Sequence, residues 1–209
     1  MTKSTISQFS AADVELEQPK RLFNGFFKIE EYRFRHALFN GGQSQEIRRE
    51  ILERGHAVAV LPYDPVRDEV LLIEQIRIGA LASKASPWLL ECIAGMAEGR
   101  DDYEAVARKE AFEEAGIELE ELHYMTSYLS SPGGTTERLF LYLARADLSR
   151  AGGIYGLASE GEDIKVHVMS YSEALQRLNS EEIDNAATVI SLQWLALHKT
   201  QIMAKWLEE

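Results

Sequence analysis

Cysteine is almost missing from this sequence: among 209 residues only Cys92 carries a thiol. A single cysteine excludes an intrachain disulfide framework and fits a reducing compartment. Long apolar runs are missing too. Nothing approaches the ~18 consecutive apolar residues of a spanning helix, and the opening MTKSTISQFSAADVE has no apolar stretch behind its lysine. Neither a signal peptide nor a membrane partner is expected, and the expectation is a soluble, cytoplasmic protein. Basic residues are scarce, with Lys+Arg 22 against Asp+Glu 34 and a formal net charge of −12. That balance argues against a nucleic-acid partner, which needs clustered Lys and Arg. Histidines 36, 56, 123, 167 and 198 form no HxxxH or HxH spacing, so zinc is not expected. The absence of G-x-S-x-G removes a serine-hydrolase elbow, and the absence of G-x-G-x-x-G removes the usual dinucleotide-binding fold.

What is present is enough for a core. With 45% hydrophobic residues, a chain of this size buries roughly 70% of its unfolded surface. No repeat or low-complexity tract divides it, so one ordinary domain with a small N-terminal appendage is expected. KIEEYRFRHALF and SQEIRREILERG read as extended runs around the turn Asn40-Gly41-Gly42. HAVAVLPY and DEVLLIEQIRI bracket the turn Asp64-Pro65-Val66-Arg67-Asp68, a second hairpin apolar enough to be central. A strand is expected over Pro87–Ala94, stopped by Gly95, with Cys92 in it as a small hydrophobe. Further strands are expected in LHYMTSYL, RLFLYLARA and IKVHVMS, with a glycine-rich loop from Ala151 to Gly161. Asp101 is the expected cap of a helix through Ala115 with Glu104 as its capping-box partner, and Gly116 lies just past the end. A short helix from Ser172 and a long closing helix over Asn185–Trp206 complete an α+β arrangement.

Helix 101–115 carries the most informative pattern. At ~100° per residue, Glu110, Glu113 and Glu114 share a sector with Tyr103, Val106, Ala107 and Ile117. The acids therefore continue the stripe that should face the protein body. They also occupy the last turn, where the helix dipole disfavours negative charge by ~0.3–1 kcal/mol each. Ala105, Phe112 and Ala115 make the opposite side apolar as well, so the helix is expected to be covered on both faces. An acidic solvated face is the ordinary reading of such a run. Here a hard divalent cation with oxygen ligands relieves the conflict better.

Gly95, five residues, Asp101, seven residues, then Lys109-Glu110-Ala111-Phe112-Glu113-Glu114-Ala115-Gly116-Ile117 resembles the signature of Nudix hydrolases, G-x5-E-x7-R-E-U-x-E-E-x-G-U with U apolar. Two positions depart from it. Asp101 replaces a glutamate, and Lys109 replaces an arginine whose forked contact lysine cannot supply. The resemblance reaches beyond the box, to the bacterial branch of the family that acts on ADP-ribose. It includes Pro132, fifteen residues after Ile117, within Ser131-Pro132-Gly133-Gly134-Thr135, together with ERGHA, EQIRI and EDIKVHV.

That resemblance implies an α/β/α sandwich with a mixed β-sheet core, flanking helices and an N-terminal antiparallel β extension. It divides the chain into a dimerising extension over 1–55 and a hydrolase domain over 56–209. The implied reaction is Mg²⁺-dependent hydrolysis of the ADP-ribose pyrophosphate bond to AMP and ribose 5-phosphate, by a homodimer with shared active sites. Two or three Mg²⁺ are implied, with Mn²⁺ as a substitute, held by Glu110, Glu114, Glu162 and the Ala94 carbonyl. Glu113 shares an ion or orients a water, and Glu160 is the implied base, with Glu162 able to exchange roles with it. Arg54 and Arg77 are implied phosphate contacts, since a guanidinium fork suits phosphate. Arg49, Glu50 and Glu137 are implied at sugar or base edges, Met96, Ser131, Pro132 and Gly133 along the pocket, and Phe26 or Phe27 on adenine. As strand neighbours the two phenylalanines should point to opposite faces, so that only one stacks. The alternatives are another nucleoside diphosphate sugar or a dinucleotide as substrate, or a non-catalytic module that senses ADP-ribose.

Overall fold

The computed structural model describes residues 8–207, which cluster into two compact units. The first comprises the chain through Arg54 together with Ser131–Glu137, and the second Gly55–Ser130 with Arg138 onward. The sequence division at 55/56 thus falls one residue away from the first break. It assigns to the hydrolase domain a segment that clusters with the N-terminal unit.

The first unit is a four-stranded antiparallel sheet of β1 (Val14–Leu16), β2 (Lys20–Asn24), β3 (Lys28–His36) and β4 (Ile47–Glu53). β3 is central, with β1 and β2 on one side and β4 on the other. The expected β3–β4 hairpin is present, and its turn contains Gly41 and Gly42 at φ 86° and 80°, conformations a side chain would resist. Ser131–Glu137 joins this unit through Leu52 N–H to Gly134 O at 2.8 Å and Thr135 Oγ1 to Leu52 O at 2.8 Å.

The second unit is built on β5 (Ala57–Asp64), β6 (Glu69–Ile76), β7 (Trp88–Glu91), β8 (Ile93–Met96), β9 (Leu122–Leu129), β10 (Arg138–Arg145), β11 (Gly153–Tyr155) and β12 (Ile164–Ser170). Its order is β11-β12-β6-β5-β10-β9, with β7 on β6, β8 on β5, and β5–β10 parallel among otherwise antiparallel pairs. The strands of the central hairpin pair only next to their turn, at Tyr63–Val70 and Asp64–Glu69. Beyond that they part, and β7 and β8 fill the gap on β6 and β5 respectively. The expected single strand over Pro87–Ala94 is therefore two, broken at Cys92, and it runs through Gly95 instead of stopping there.

Every residue of β5 is buried, which explains its unbroken apolar run. Val58 and Val60, with Leu71 and Ile73 of β6, pack on helix α1 (Tyr103–Ala115) through Val106, Ala107, Ala111 and Ala115. Ala59, Leu61 and Tyr63, with Val70 and Leu72, face the other way onto α2 (Tyr171–Asn179) and α3 (Ala186–Leu207). Period-two alternation thus divides one apolar run between two cores and produces the α/β/α sandwich. The long helix is tied down by Asp68, which accepts from Tyr63 Oη at 2.8 Å and pairs with Lys199 at 2.6 Å. Among the described residues no helix is long and apolar enough to cross a membrane.

Two local expectations change. The α1 cap is Asp102, whose carboxylate accepts from Ala105 N–H at 3.0 Å, so Asp101 and the capping box with Glu104 lie one residue out of register. The outer face of α1 is also open, with Phe112 65% exposed and Ala105 exposed, while Ala115, expected on that side, packs in the core, so only one face of the helix is covered. Asp102→Ala should therefore lower the unfolding free energy by about 1 kcal/mol in urea, while Asp101→Ala changes it by less than about 0.5 kcal/mol.

Candidate active site

α1 turns Val106, Ala107, Ala111 and Ala115 into the core, and the same face carries acids. Glu114 is 3% exposed, and its Oε2 accepts from the Ala94 backbone N–H at 3.0 Å. Burial, reinforced by the charges of Glu110 and Glu162, pushes its carboxyl up to about 8, against the opposing Ala94 N–H and Arg77. One turn earlier Glu110 is raised as well, first by burial and then by Glu113 and Glu162, with Lys109 opposing. A Cβ on Gly95 would lie 2.2 Å from the Glu110 carboxyl carbon, so the β8 backbone passes directly against that carboxylate. Glycine is required there by space and not by dihedral angle.

Lys109 spans the acids from the rim, with Nζ 2.6 Å from Glu113 and 3.2 Å from Glu110. It is a single point charge where the consensus has a planar fork. Facing the helix, Glu162 lies just before β12 and accepts from Leu157 N–H through Oε2 at 3.0 Å. Glu160 lies on the exposed 3-10 turn Ala158–Glu160, closed by Gly161 at φ 72°. Among the described residues no three His, Cys, Asp or Glu side chains converge as a ready-made metal cage. Glu110, Glu114 and Glu162 nevertheless act on one another, and two of them are held partly out of water with raised affinity for a proton. Hard oxygen donors in that condition fit a Mg²⁺-type cation.

Arg77, just past the end of β6, acts electrostatically on Glu114. Its Nε donates to Glu91 at 2.8 Å, and Gln75 Nε2 donates to the same oxygen at 3.4 Å. Burial raises the Glu91 carboxyl while Arg77 opposes the shift. Sequence reasoning missed Glu91 and Gln75; the available signal was a charged residue inside the apolar run Trp88-Leu89-Leu90-Glu91-Cys92-Ile93.

A NUDIX domain model matches residues 53–201. The chain belongs to the Nudix family. It is 52% identical over 198 residues to an ADP-ribose pyrophosphatase of Escherichia coli strain K12, with 95% of each chain covered. It is 47% identical over 206 residues to one from Haemophilus influenzae, covering 97% of this chain and 95% of that one. A GDP-mannose pyrophosphatase of Cronobacter sakazakii is 34% identical over 187 residues, 88% of this chain and 96% of its own. The fold is also shared with a crystal structure titled ADP compounds hydrolase, at TM-score 0.65 and 18% identity, over 90% of this chain and 97% of that one.

Within the Nudix box, then, Gly95 and Gly116 have concrete structural duties. Gly116 caps α1 in the left-handed region at φ 63° and donates to Ala111 O and Phe112 O. Met96, the last residue of β8, is half-buried. Cys92 is buried, its thiol pushed up to about 12 by desolvation, which suits a packing role.

The remaining Nudix candidates lie in the first unit. Arg54 pairs with buried Glu137 through Nε at 3.0 Å, with its N–H not aimed along the contact, and its guanidinium lies over the Phe27 ring at 5.5 Å. Phe26 and Phe27 occupy the bend between β2 and β3, not a strand, and their rings meet edge-on at 4.9 Å. The opposite-face expectation for them fails, because a bend lacks the pleat that enforces alternation. Phe26 is the more exposed, at 84%. Arg49 and Glu50 are exposed on β4, where Arg49 donates to Arg48 O at 2.7 Å. Ser131, Pro132 and Gly133 form an exposed turn closed by Gly134 N–H to Ser131 O at 2.9 Å.

The raised Glu114 carboxyl makes stability depend on pH. Its folded value of about 8 lies above the ordinary 4.5. Its contribution is therefore fully present below pH 4.5 and is lost as pH rises toward and through 8. In chelator, Glu114→Gln should be more stable than the wild type at pH 8–9, and the gap should close near pH 4.5; urea titrations at both ends check this.

Proposed function

We propose that the chain hydrolyses the pyrophosphate bond of ADP-ribose to AMP and ribose 5-phosphate in a Mg²⁺-dependent reaction. The observation that carries this reading is the pair of helix carboxylates, buried Glu114 and half-buried Glu110, in a chain 52% identical to proteins named ADP-ribose pyrophosphatase. The substrate is an anion, and bringing water to its phosphorus requires charge screening, a base and held phosphates. Glu110, Glu114, Glu162 and the Ala94 carbonyl would hold two or three Mg²⁺, or Mn²⁺, which when bound supply positive charge to the pyrophosphate oxygens.

The chain's own residues supply the rest. Glu160, exposed on its short turn between glycines, is suited to approach the attacking water and take its proton while a phosphorus–oxygen bond of the bridge breaks. Glu162 is the alternative base, and Glu113 orients a water. Arg77, paired at Nε with Glu91, would bind phosphate with its terminal nitrogens. In the first unit, Phe27 with Arg54 offers a flat face and a positive charge to a nucleotide, Phe26 an exposed ring. Arg49, Glu50, Glu137, Ser131, Pro132 and Gly133 are proposed sugar or base contacts, and Met96 a lining residue. Exposed Val14, Leu16, Leu22 and Phe23 support a homodimer formed through that unit. The resemblance to a GDP-mannose pyrophosphatase favours, as a second reading, another nucleoside diphosphate sugar as substrate.

AMP release from ADP-ribose, compared with GMP release from GDP-mannose across a Mg²⁺ series, tests the proposal. Turnover of ADP-ribose that disappears in chelator is expected, and no turnover at micromolar enzyme would sink it. Glu114→Gln should lower kcat by roughly 100-fold or more with the far-ultraviolet circular dichroism unchanged.

A further inference from the structure

The segment that carries Glu160 and Glu162 could swing freely if only its glycines governed it, yet it is fastened to the end of α1, where Tyr155, a residue outside the box, meets Gly116. Tyr155, the last residue of β11, lies with its ring against Gly116. A Cβ built on Gly116 would meet the ring at 2.4 Å and its hydroxyl oxygen at 2.8 Å. The next residue, Gly156, donates its N–H to Glu113 O at 3.3 Å, within the last turn of α1. A Cβ on Gly156 would lie 2.7 Å from Glu162 Cβ, so the backbone there is pressed directly onto the base of the Glu162 side chain. Leu157 N–H, one residue on, holds the Glu162 carboxylate at 3.0 Å. Tyr155 also pairs with Ile164 in the β11–β12 ladder and packs on the α1 core.

These contacts form one chain: α1 end, Gly116, Tyr155, Gly156, Glu162. We propose that Tyr155 is a positioning residue, whose ring, seated on Gly116, holds Glu162 in register with the helix carboxylates Glu110 and Glu114. The ring matters more than the hydroxyl, because ring carbons come closest to Gly116 and the backbone contacts follow from where the ring sits. Gly116 thereby has two duties, the left-handed cap and the space for the ring, and the second depends on which residue stands at 155. The proposal rests on the reading of Glu110, Glu114 and Glu162 as ion ligands.

Mn²⁺ binding to the full chain, read by the loss of the free-ion electron paramagnetic resonance signal, tests it without relying on turnover. Tyr155→Ala should weaken Mn²⁺ binding roughly ten-fold, whereas Tyr155→Phe should bind as the wild type does. Tyr155→Leu, which keeps apolar volume without the ring, guards against failure of the alanine variant to fold and should also bind weakly. A role in packing alone would lower the urea midpoint of the alanine and leucine variants and leave Mn²⁺ affinity unchanged, which would overturn the proposal. Absence of Mn²⁺ binding by the wild-type chain would instead overturn the ligand reading beneath it.

Discussion

The carboxyl of Glu114 lies nearly out of water against the Ala94 N–H, with Glu110 one turn away pressed to the backbone of Gly95. Two acids on the inner face of one helix end are held where both desolvation and the helix dipole oppose their ionisation. Other features of the site follow from managing that conflict. Gly95 has no side chain because a carboxylate takes the space. Lys109 lies across Glu110 and Glu113 as a local counter-charge. Arg77 comes within electrostatic reach of Glu114 and is itself steadied by Glu91, so its charge cannot simply move away.

The sandwich makes this tolerable. β5 and β6 send alternate side chains into two cores, and the burial of those residues fixes α1 against the sheet whatever its acids prefer. Buried Val, Leu and Ile side chains stabilise by ~1.5–3 kcal/mol each, so a handful of them outweighs a strained carboxylate or two. The strain is local and the support distributed, so the sheet and its two cores tolerate acids placed against them.

Much of this was legible in the residues. The hairpins, the strands LHYMTSYL, RLFLYLARA and IKVHVMS, and the closing helix follow from alternation, turn residues and helical period. The inward direction of Glu110 and Glu114 follows from their sharing a sector with Val106 and Ala107. What the residues did not reveal depends on tertiary contact. Cys92 divides a strand because β5 and β6 diverge, and that divergence has no local signature. Phe112 was expected to be covered because it is apolar, but no element of the described chain packs there. Phe26 and Phe27 were given strand geometry where the backbone bends. The partnership of Arg77 with Glu91 and the seat of Tyr155 on Gly116 join residues far apart in sequence, so spacing could not carry them.

If the paired carboxylates of Glu110 and Glu114 are held for a cation, then the cation must stabilise the fold, because the ion binds the folded arrangement and the unfolded chain lacks it. The most direct measurement is the urea midpoint at pH 8 as a function of Mg²⁺, for the wild type and for Glu110→Gln combined with Glu114→Gln. A midpoint that climbs with the logarithm of Mg²⁺ in the wild type and stays flat in the double variant is the predicted result. A flat wild-type profile, or an equal climb in both, would contradict it.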